Sequence, residues 1–149
     1  MTADMTASVT FDEGMAFTAT ADSGHEVQLD AAPPTGRNSG FRPMELVLVS
    51  LASCSGMDVL SILQKMRQPV RSLKVRARGR RQDEQPKAFT AIDLVFQVTG
   101  DDVDPNAVAK AIALTEEHYC PVWAMLKPSV AITASFELTH DEASSQPTD

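Results

Sequence analysis

The chain has 149 residues, two cysteines and a formal net charge of −7. Its length favours one domain with its own core, and its acidity argues against nucleic acid as the main partner. The N-terminal residues lack the basic start and apolar stretch of a signal peptide. The longest apolar run, residues 46–57, is shorter than the roughly 20 residues that span a bilayer. We therefore expect a cytoplasmic protein that uses neither a membrane nor nucleic acid as a partner.

Short strands are predicted over residues 1–30, with turns at residues 12–14 and 22–24. A loop rich in proline, glycine and asparagine follows over residues 31–43. Pro43 then opens a long helix that is expected to end near Arg67, just before Gln68 and Pro69. The first half of this helix is apolar on nearly every side, which is typical of a fully buried helix.

The second half of the chain alternates between strand and helix patterns. Strands are predicted over residues 71–81, 89–99 and 129–138, because apolar residues recur at every second position in the first two. A helix is expected after the N-cap Asp104, and a short one from Pro121. Strands in hairpin pairs with segregated helices indicate the α+β class. We expect one domain over residues 1–138 and a disordered tail over residues 139–149.

The long helix raises a packing problem that bears on the assembly. A single sheet can cover only one side of a helix that is apolar all round. Either the sheet wraps around the helix or a second subunit covers the remaining face. The second solution is easier for so short a chain, so we expect a dimer.

The two cysteines are the candidates for chemistry. Cys54 lies in the apolar helix, and its neighbours one turn away are Ser50, Leu51, Met57 and Asp58. Cys120 precedes Pro121 at a helix start, where the helix dipole is expected to lower the pKa of a thiol. Considered separately, each cysteine is well interpreted as a buried structural residue with no chemical role. As a pair they could reduce a peroxide, because one thiolate can form a sulfenic acid that a second thiol resolves to a disulfide.

Such chemistry needs a positive charge beside the attacking sulfur. Arg37 and Arg42, in the loop before the helix, are the candidates, and Glu45 could hold an arginine in place. On spacing alone, Arg37 and Arg42 are better interpreted as ordinary surface residues, and Glu45 as a glutamate that favours the first turn of a helix. The histidines have no metal-type spacing, and His118 with Cys120 would give only a two-ligand site. No metal or cofactor is expected.

Two stretches resemble a known family. The segment "FRPMELVLVSLASCSGMDVLSILQKMRQPV" closely resembles the central-helix motif of the OsmC/Ohr family (osmotically inducible protein C and organic hydroperoxide resistance proteins), and "LTEEHYCPVWAML" resembles its second cysteine motif. The resemblance covers roughly residues 25–138 and is strongest to the OsmC-like branch. It implies an OsmC-like fold, in which antiparallel sheets wrap a long central helix in an intertwined homodimer with active sites at the interface.

The resemblance also implies an activity. Family members reduce organic hydroperoxides and are recycled by thiols or dihydrolipoyl groups. Cys54 matches the peroxidatic cysteine of the family and Cys120 matches the resolving one. The expected function is thus a thiol peroxidase. A non-catalytic protein that binds an apolar ligand and a redox sensor are the alternatives.

The chain departs from the family at its arginine–glutamate pair. Met44 occupies the position of the family's glutamate, and Glu45 stands one residue later, about 100° around the helix. Only Arg37 and Arg42 are available as the arginine, and Arg42 is preferred because Pro43 ties it to the helix start.

Overall fold

The computed structural model describes residues 3–140. Within the chain, contacts define two compact units, one up to Val47 and one from Leu48 onward. The last strand ends at Thr139, one residue beyond its predicted end. Most of the predicted tail, residues 141–149, lies outside the described residues.

The first unit is built on a three-stranded antiparallel sheet in the order β1-β2-β3. Its strands are β1 (Ala7–Glu13), β2 (Ala16–Ala21) and β3 (Glu26–Leu29). The two connecting turns contain Gly14 and Gly24 at φ values of 60° and 85°, a left-handed conformation that glycine adopts without a steric penalty. The short strands and the two turns predicted for this region are confirmed.

One buried carboxylate organises the loop that follows β3. Asp30 is 4% exposed and accepts hydrogen bonds from the Ser39 hydroxyl at 2.7 Å and from the backbone N–H groups of Ala31, Arg37 and Ser39. These bonds, above all the one from the Ser39 hydroxyl, stabilise the charged form and hold the pKa of Asp30 well below its usual range. The Asp30 side chain therefore helps to order the loop, together with backbone hydrogen bonds such as the one from the N–H of Asn38 to the carbonyl of Ala31 at 3.2 Å.

Helix α1 (Pro43–Lys65) begins where the sequence predicts and stops close to its predicted end. Arg67 takes the left-handed conformation at φ 57°. The N–H of Gln68 bonds to the carbonyl of Leu63 at 2.9 Å, and the N–H of Arg67 bonds to that of Gln64 at 3.0 Å. This pattern is a Schellman motif, which satisfies the last carbonyl groups of the helix.

The second unit contains a second three-stranded sheet, in the order β4-β5-β6. Its strands are β4 (Ser72–Arg81), β5 (Phe89–Thr99) and β6 (Ala131–Thr139). Between β5 and β6 lie α2 (Pro105–Leu114), a π-helical turn (Thr115–Tyr119) and α3 (Pro121–Leu126). Asp104 caps α2 as predicted, because its Oδ1 accepts from the N–H of Asn106 at 2.9 Å.

The core of this unit lies between its sheet and the part of α1 that begins at Leu48. Four alternating apolar residues of β5 are fully buried: Ile92, Leu94, Phe96 and Val98. They join Leu51, Val59 and Leu63 of α1 and Trp123 of α3 in one hydrophobic cluster. On β4, the basic residues are exposed and the apolar ones half-buried, as the alternation predicts.

The pairing of β6 differs from the expected antiparallel arrangement. β6 runs parallel to β5, with Ala91 opposite Ala131 and Thr99 opposite Thr139. A parallel neighbour needs a crossover connection of a dozen or more residues, and the segment that carries α2 and α3 supplies one. The second sheet is therefore mixed, while the predicted α+β class is confirmed.

One side of α1 in the second unit remains open to solvent. Val49 and Met57 are exposed, and a groove of about 610 Å³ runs between α1 and β4. By length and composition alone α1 could cross a bilayer, although its uninterrupted apolar run is short. Core helices of soluble proteins have the same character, and Leu51, Val59 and Leu63 of α1 are fully buried in the core.

Candidate functional site

The two cysteines come together in the second unit. Both are free, and their Sγ atoms lie within 4.8 Å of each other. Cys54 projects from α1, is half-buried and packs against the hydrophobic cluster. Cys120 is only 2% exposed and sits between the π-helical turn and α3. Two thiols at this separation need only a modest approach to form a disulfide.

The backbone around Cys120 fixes the position of its sulfur. Its N–H bonds to the carbonyl of Thr115 at 3.0 Å, which closes the π-helical turn. Its Sγ accepts from the N–H of Trp123 at 3.4 Å, so the cysteine is itself the N-cap of α3. Trp123 is buried in the core and anchors this helix. π-Helical turns are frequent at functional sites, and this one aims Cys120 at α1.

The predicted effect of the helix start on Cys120 is wrong. Burial raises the pKa of Cys120 to about 11, because desolvation disfavours the thiolate. The nearby Cys54 sulfur raises it further, while the N–H groups of Trp123 and Val122 lower it only in part. Since α3 has only six residues, its N–H groups do not offset the loss of water. Cys120 is held as a neutral thiol.

Asp58 is a further member of the site that the sequence interpretation used only as a helical neighbour. Its carboxylate and the two sulfurs form a group whose candidate ligand atoms all lie within 4.8 Å of one another. Asp58 follows Cys54 by four positions, so both side chains lie on one face of α1. This spacing was the available signal, but only the fold brings Cys120 to the same point.

A cavity gives access to Asp58. It measures about 310 Å³ and is bordered by Asp58 and Lys65 of α1 and by Leu114 and Tyr119 near the end of α2 and the π-helical turn. The lining is mixed, with a carboxylate, an amine and a phenol among apolar side chains. A small molecule with both a polar and an apolar part fits such a lining.

Arg42 and Glu45 belong to the first unit and contact each other. The backbone N–H of Arg42 donates to the Glu45 carboxylate at 2.8 Å, in the manner of a capping box at the start of α1. The Arg42 guanidinium donates to Asn38 Oδ1 at 2.5 Å and lies 3.9 Å from Glu45 Oε1. The two residues form the pair that the sequence suggested, and Glu45 also caps the helix.

The remaining candidates make exposed contacts. Arg37 forms an ion pair with Glu13 at 3.1 Å, and its side chain is 70% exposed. His118 lies beside Glu117 at 3.7 Å on the surface, and it is not a member of the group formed by Cys54, Asp58 and Cys120.

The chain is similar to known proteins over most of its length. The family model for OsmC-like proteins matches residues 36–135, which include both cysteines. Protein YhfA of Escherichia coli (strain K12) is 43% identical over 137 residues, which cover 90% of this chain and 98% of YhfA.

Solved structures share the same architecture. A hypothetical protein from Aquifex aeolicus VF5 superposes with a TM-score of 0.83 at 33% identity and covers 95% of this chain and 100% of its own. An organic hydroperoxide resistance protein from Elizabethkingia anophelis superposes with a TM-score of 0.72 at 14% identity and covers 93% of this chain and 99% of its own. At this identity the similarity shows the fold alone. From the matched family model and the identity to YhfA, the chain belongs to the OsmC-like family.

Proposed function

We propose that this protein is a thiol-dependent peroxidase that reduces organic hydroperoxides, with Cys54 as the attacking residue and Cys120 as the resolving one. The observation that carries the proposal is the approach of two free sulfur atoms to within 4.8 Å in the second unit. Membership of the OsmC-like family supports it, as does a fold shared with a protein described as an organic hydroperoxide resistance protein.

The reaction has three steps. The Cys54 thiolate attacks the distal oxygen of the hydroperoxide ROOH, the O–O bond breaks, and the alcohol ROH leaves after it takes up a proton. Cys54 is then a sulfenic acid. The Cys120 sulfur attacks the oxidised sulfur, a disulfide forms, and water leaves. A dithiol or dihydrolipoyl reductant returns both residues to thiols by thiol–disulfide exchange.

Burial separates the roles of the two thiols. Cys54 is half-buried and Cys120 is 2% exposed, so Cys54 is the more accessible of the two residues to a peroxide. The buried sulfur is therefore the resolving group. The apolar surroundings of Cys54 favour alkyl or lipid hydroperoxides, since each buried CH₂ group contributes about 0.8 kcal/mol.

Arg42 is the proposed activator of Cys54, with Glu45 as the residue that orients it. Twelve residues, about 18 Å along a helix, separate Arg42 from Cys54 in one chain, so we propose that this charge acts across the homodimer interface. The Arg42 guanidinium is held by Asn38 and lies near Glu45, whereas Arg37 is bound to Glu13 and largely exposed. A fixed positive charge stabilises a thiolate more than a mobile, solvated one. The proposal also includes a homodimer that covers the open face of α1, and a cytoplasmic location that keeps the thiols reduced.

Turnover of cumene hydroperoxide with dihydrolipoamide tests the proposal. The wild-type protein should consume peroxide catalytically. Cys54→Ser should abolish consumption, and Cys120→Ser should consume one equivalent and accumulate a sulfenic acid that a dimedone probe traps. Absence of turnover in the wild-type protein, or full turnover in Cys54→Ser, would overturn the assignment. A disulfide that forms once per chain without turnover would favour the redox sensor instead.

A further inference from the structure

The carboxylate of Asp58 is unexplained by the peroxidase chemistry. Its Oδ2 atom is buried and has no hydrogen-bond partner among the described residues. Leaving a buried carboxylate oxygen unpaired is costly, and native structures rarely do so without a reason. This atom belongs to the side chain that approaches the sulfurs of Cys54 and Cys120. The unpaired oxygen therefore points to a missing partner at the meeting point of the three side chains.

Two sulfurs and one carboxylate oxygen are a ligand set that suits a zinc ion. Zinc–sulfur bonds are about 2.3 Å and zinc–oxygen bonds about 2.0–2.2 Å in tetrahedral sites. Such a site would bring the ligand atoms to roughly 3.5–3.8 Å from one another. The present separations, all within 4.8 Å, need only a small contraction. Thiolates also select zinc over magnesium and calcium, which prefer oxygen ligands.

We propose that the reduced protein binds one Zn²⁺ through Cys54 Sγ, Asp58 carboxylate oxygen and Cys120 Sγ. Two thiol protons are released as the two zinc–sulfur bonds form, and the Asp58 carboxylate gains a partner. With three protein ligands, a water molecule completes the tetrahedron. His118, which lies outside the group, does not contribute a ligand.

Disulfide formation releases the metal, and this part rests on the proposed peroxidase function. The site holds two thiolates and Zn²⁺. With a hydroperoxide and two protons it yields the disulfide, the alcohol, water and free Zn²⁺. Two electrons pass from the sulfurs to the O–O bond, and zinc keeps its charge. Bound zinc therefore occupies the attacking sulfur until a hydroperoxide oxidises the two thiolates or a chelator removes the metal.

Binding is measured on the full reduced chain, freed of metal and kept without oxygen. ZnCl₂ is titrated against the protein in competition with a chromophoric chelator. One zinc per chain is expected. Asp58→Asn should weaken binding by at least about tenfold, since even the loss of a residue that only orients a metal ligand costs about 10- to 100-fold, and Cys54→Ser and Cys120→Ser by at least as much. Glu117→Gln, which removes an exposed carboxylate near Cys120 in sequence, should leave the affinity unchanged.

A second readout identifies the ligands independently of affinity. Co²⁺ in place of zinc should show thiolate-to-metal charge-transfer absorption that each serine variant reduces, while circular dichroism confirms that the variants are folded. Failure of the reduced protein to bind one equivalent, or unchanged affinity in Asp58→Asn, would overturn the site. Peroxide turnover of chelator-treated protein is measured separately, so loss of zinc binding and loss of peroxidase activity are distinguishable. Retention of zinc by the disulfide form would refute the release step.

Discussion

Glu45 accepts a hydrogen bond from the backbone N–H of Arg42 at 2.8 Å, while the Arg42 guanidinium lies 3.9 Å from the same carboxylate oxygen. One side chain therefore has two separable duties, capping α1 and orienting a cation. Glutamine can perform the first because its amide oxygen also accepts the N–H, but it lacks the charge for the second.

Variants of Glu45 should separate these duties. Glu45→Ala should lower the free energy of unfolding by about 0.5–1 kcal/mol, the range of a lost helix cap. Glu45→Gln should cost less than half of that, yet should slow peroxide consumption as much as the alanine variant does. Urea denaturation and cumene hydroperoxide turnover provide the two measurements. Equal loss of stability in both variants would contradict the capping duty.

Arg42→Ala should slow sulfenic acid formation at Cys54, by about tenfold for the loss of one favourable charge interaction worth about 1.4 kcal/mol. The rate is read by dimedone trapping in a Cys120→Ser background, where the intermediate persists. Arg37→Ala is the matched control, since it removes an equal charge from an exposed ion pair with Glu13. The same rate in both single variants would remove Arg42 as the activator.

Asp30 should make the protein sensitive to acid. Its pKa in the folded state lies below the ordinary value of about 3.9, so the stabilisation is complete above that pH. As the pH falls below about 4, the unfolded chain takes up the proton first and the stabilisation is lost. Asp30→Asn should unfold more easily at pH 7 and show a weaker dependence on pH between about 2 and 4.

Chemical denaturation across this pH range checks the expectation. Asp83→Asn, which changes an exposed carboxylate between β4 and β5, should retain the wild-type dependence. An unchanged pH profile in Asp30→Asn would show that the loop does not need the charge.

The protein should sediment at about twice the mass of the 16.1 kDa chain. Met57→Lys should produce monomers, because Met57 lies in the apolar groove along α1 and is 71% exposed in the single chain. Met125→Lys is a close control, since Met125 of α3 is also 71% exposed. Monomeric wild-type protein at micromolar concentration, or equal effects of the two lysines, would rule out an interface at this groove.

Much of the fold was predictable because the signals are local. The alternation of Ile92, Leu94, Phe96 and Val98 predicts a strand with one buried face, and Asp104 followed by a proline predicts a helix start. The direction of β6 was not predictable, because an alternating pattern reads the same in parallel and antiparallel neighbours.

The site shows the same division between local and tertiary information. The spacing of Cys54 and Asp58 can be read from the sequence of one helix. The position of Cys120 beside them depends on the crossover through α2 and α3. The pKa of Cys120 was predicted in the wrong direction since the helix start is a local feature and burial is a tertiary one. Desolvation of Cys120 in the core outweighs the effect of the helix start and raises the pKa of its thiol.

Because Cys120 caps α3 and Cys54 lies on α1, a bond between them would tie the central helix to the crossover segment. Such a bond closes a loop of more than 60 residues, for which chain entropy predicts about 4 kcal/mol of stabilisation. The melting temperature of this protein should therefore report its oxidation state. The disulfide form would melt at a higher temperature than the reduced form. The most stable form of the molecule would therefore be the one whose thiols have already been oxidised.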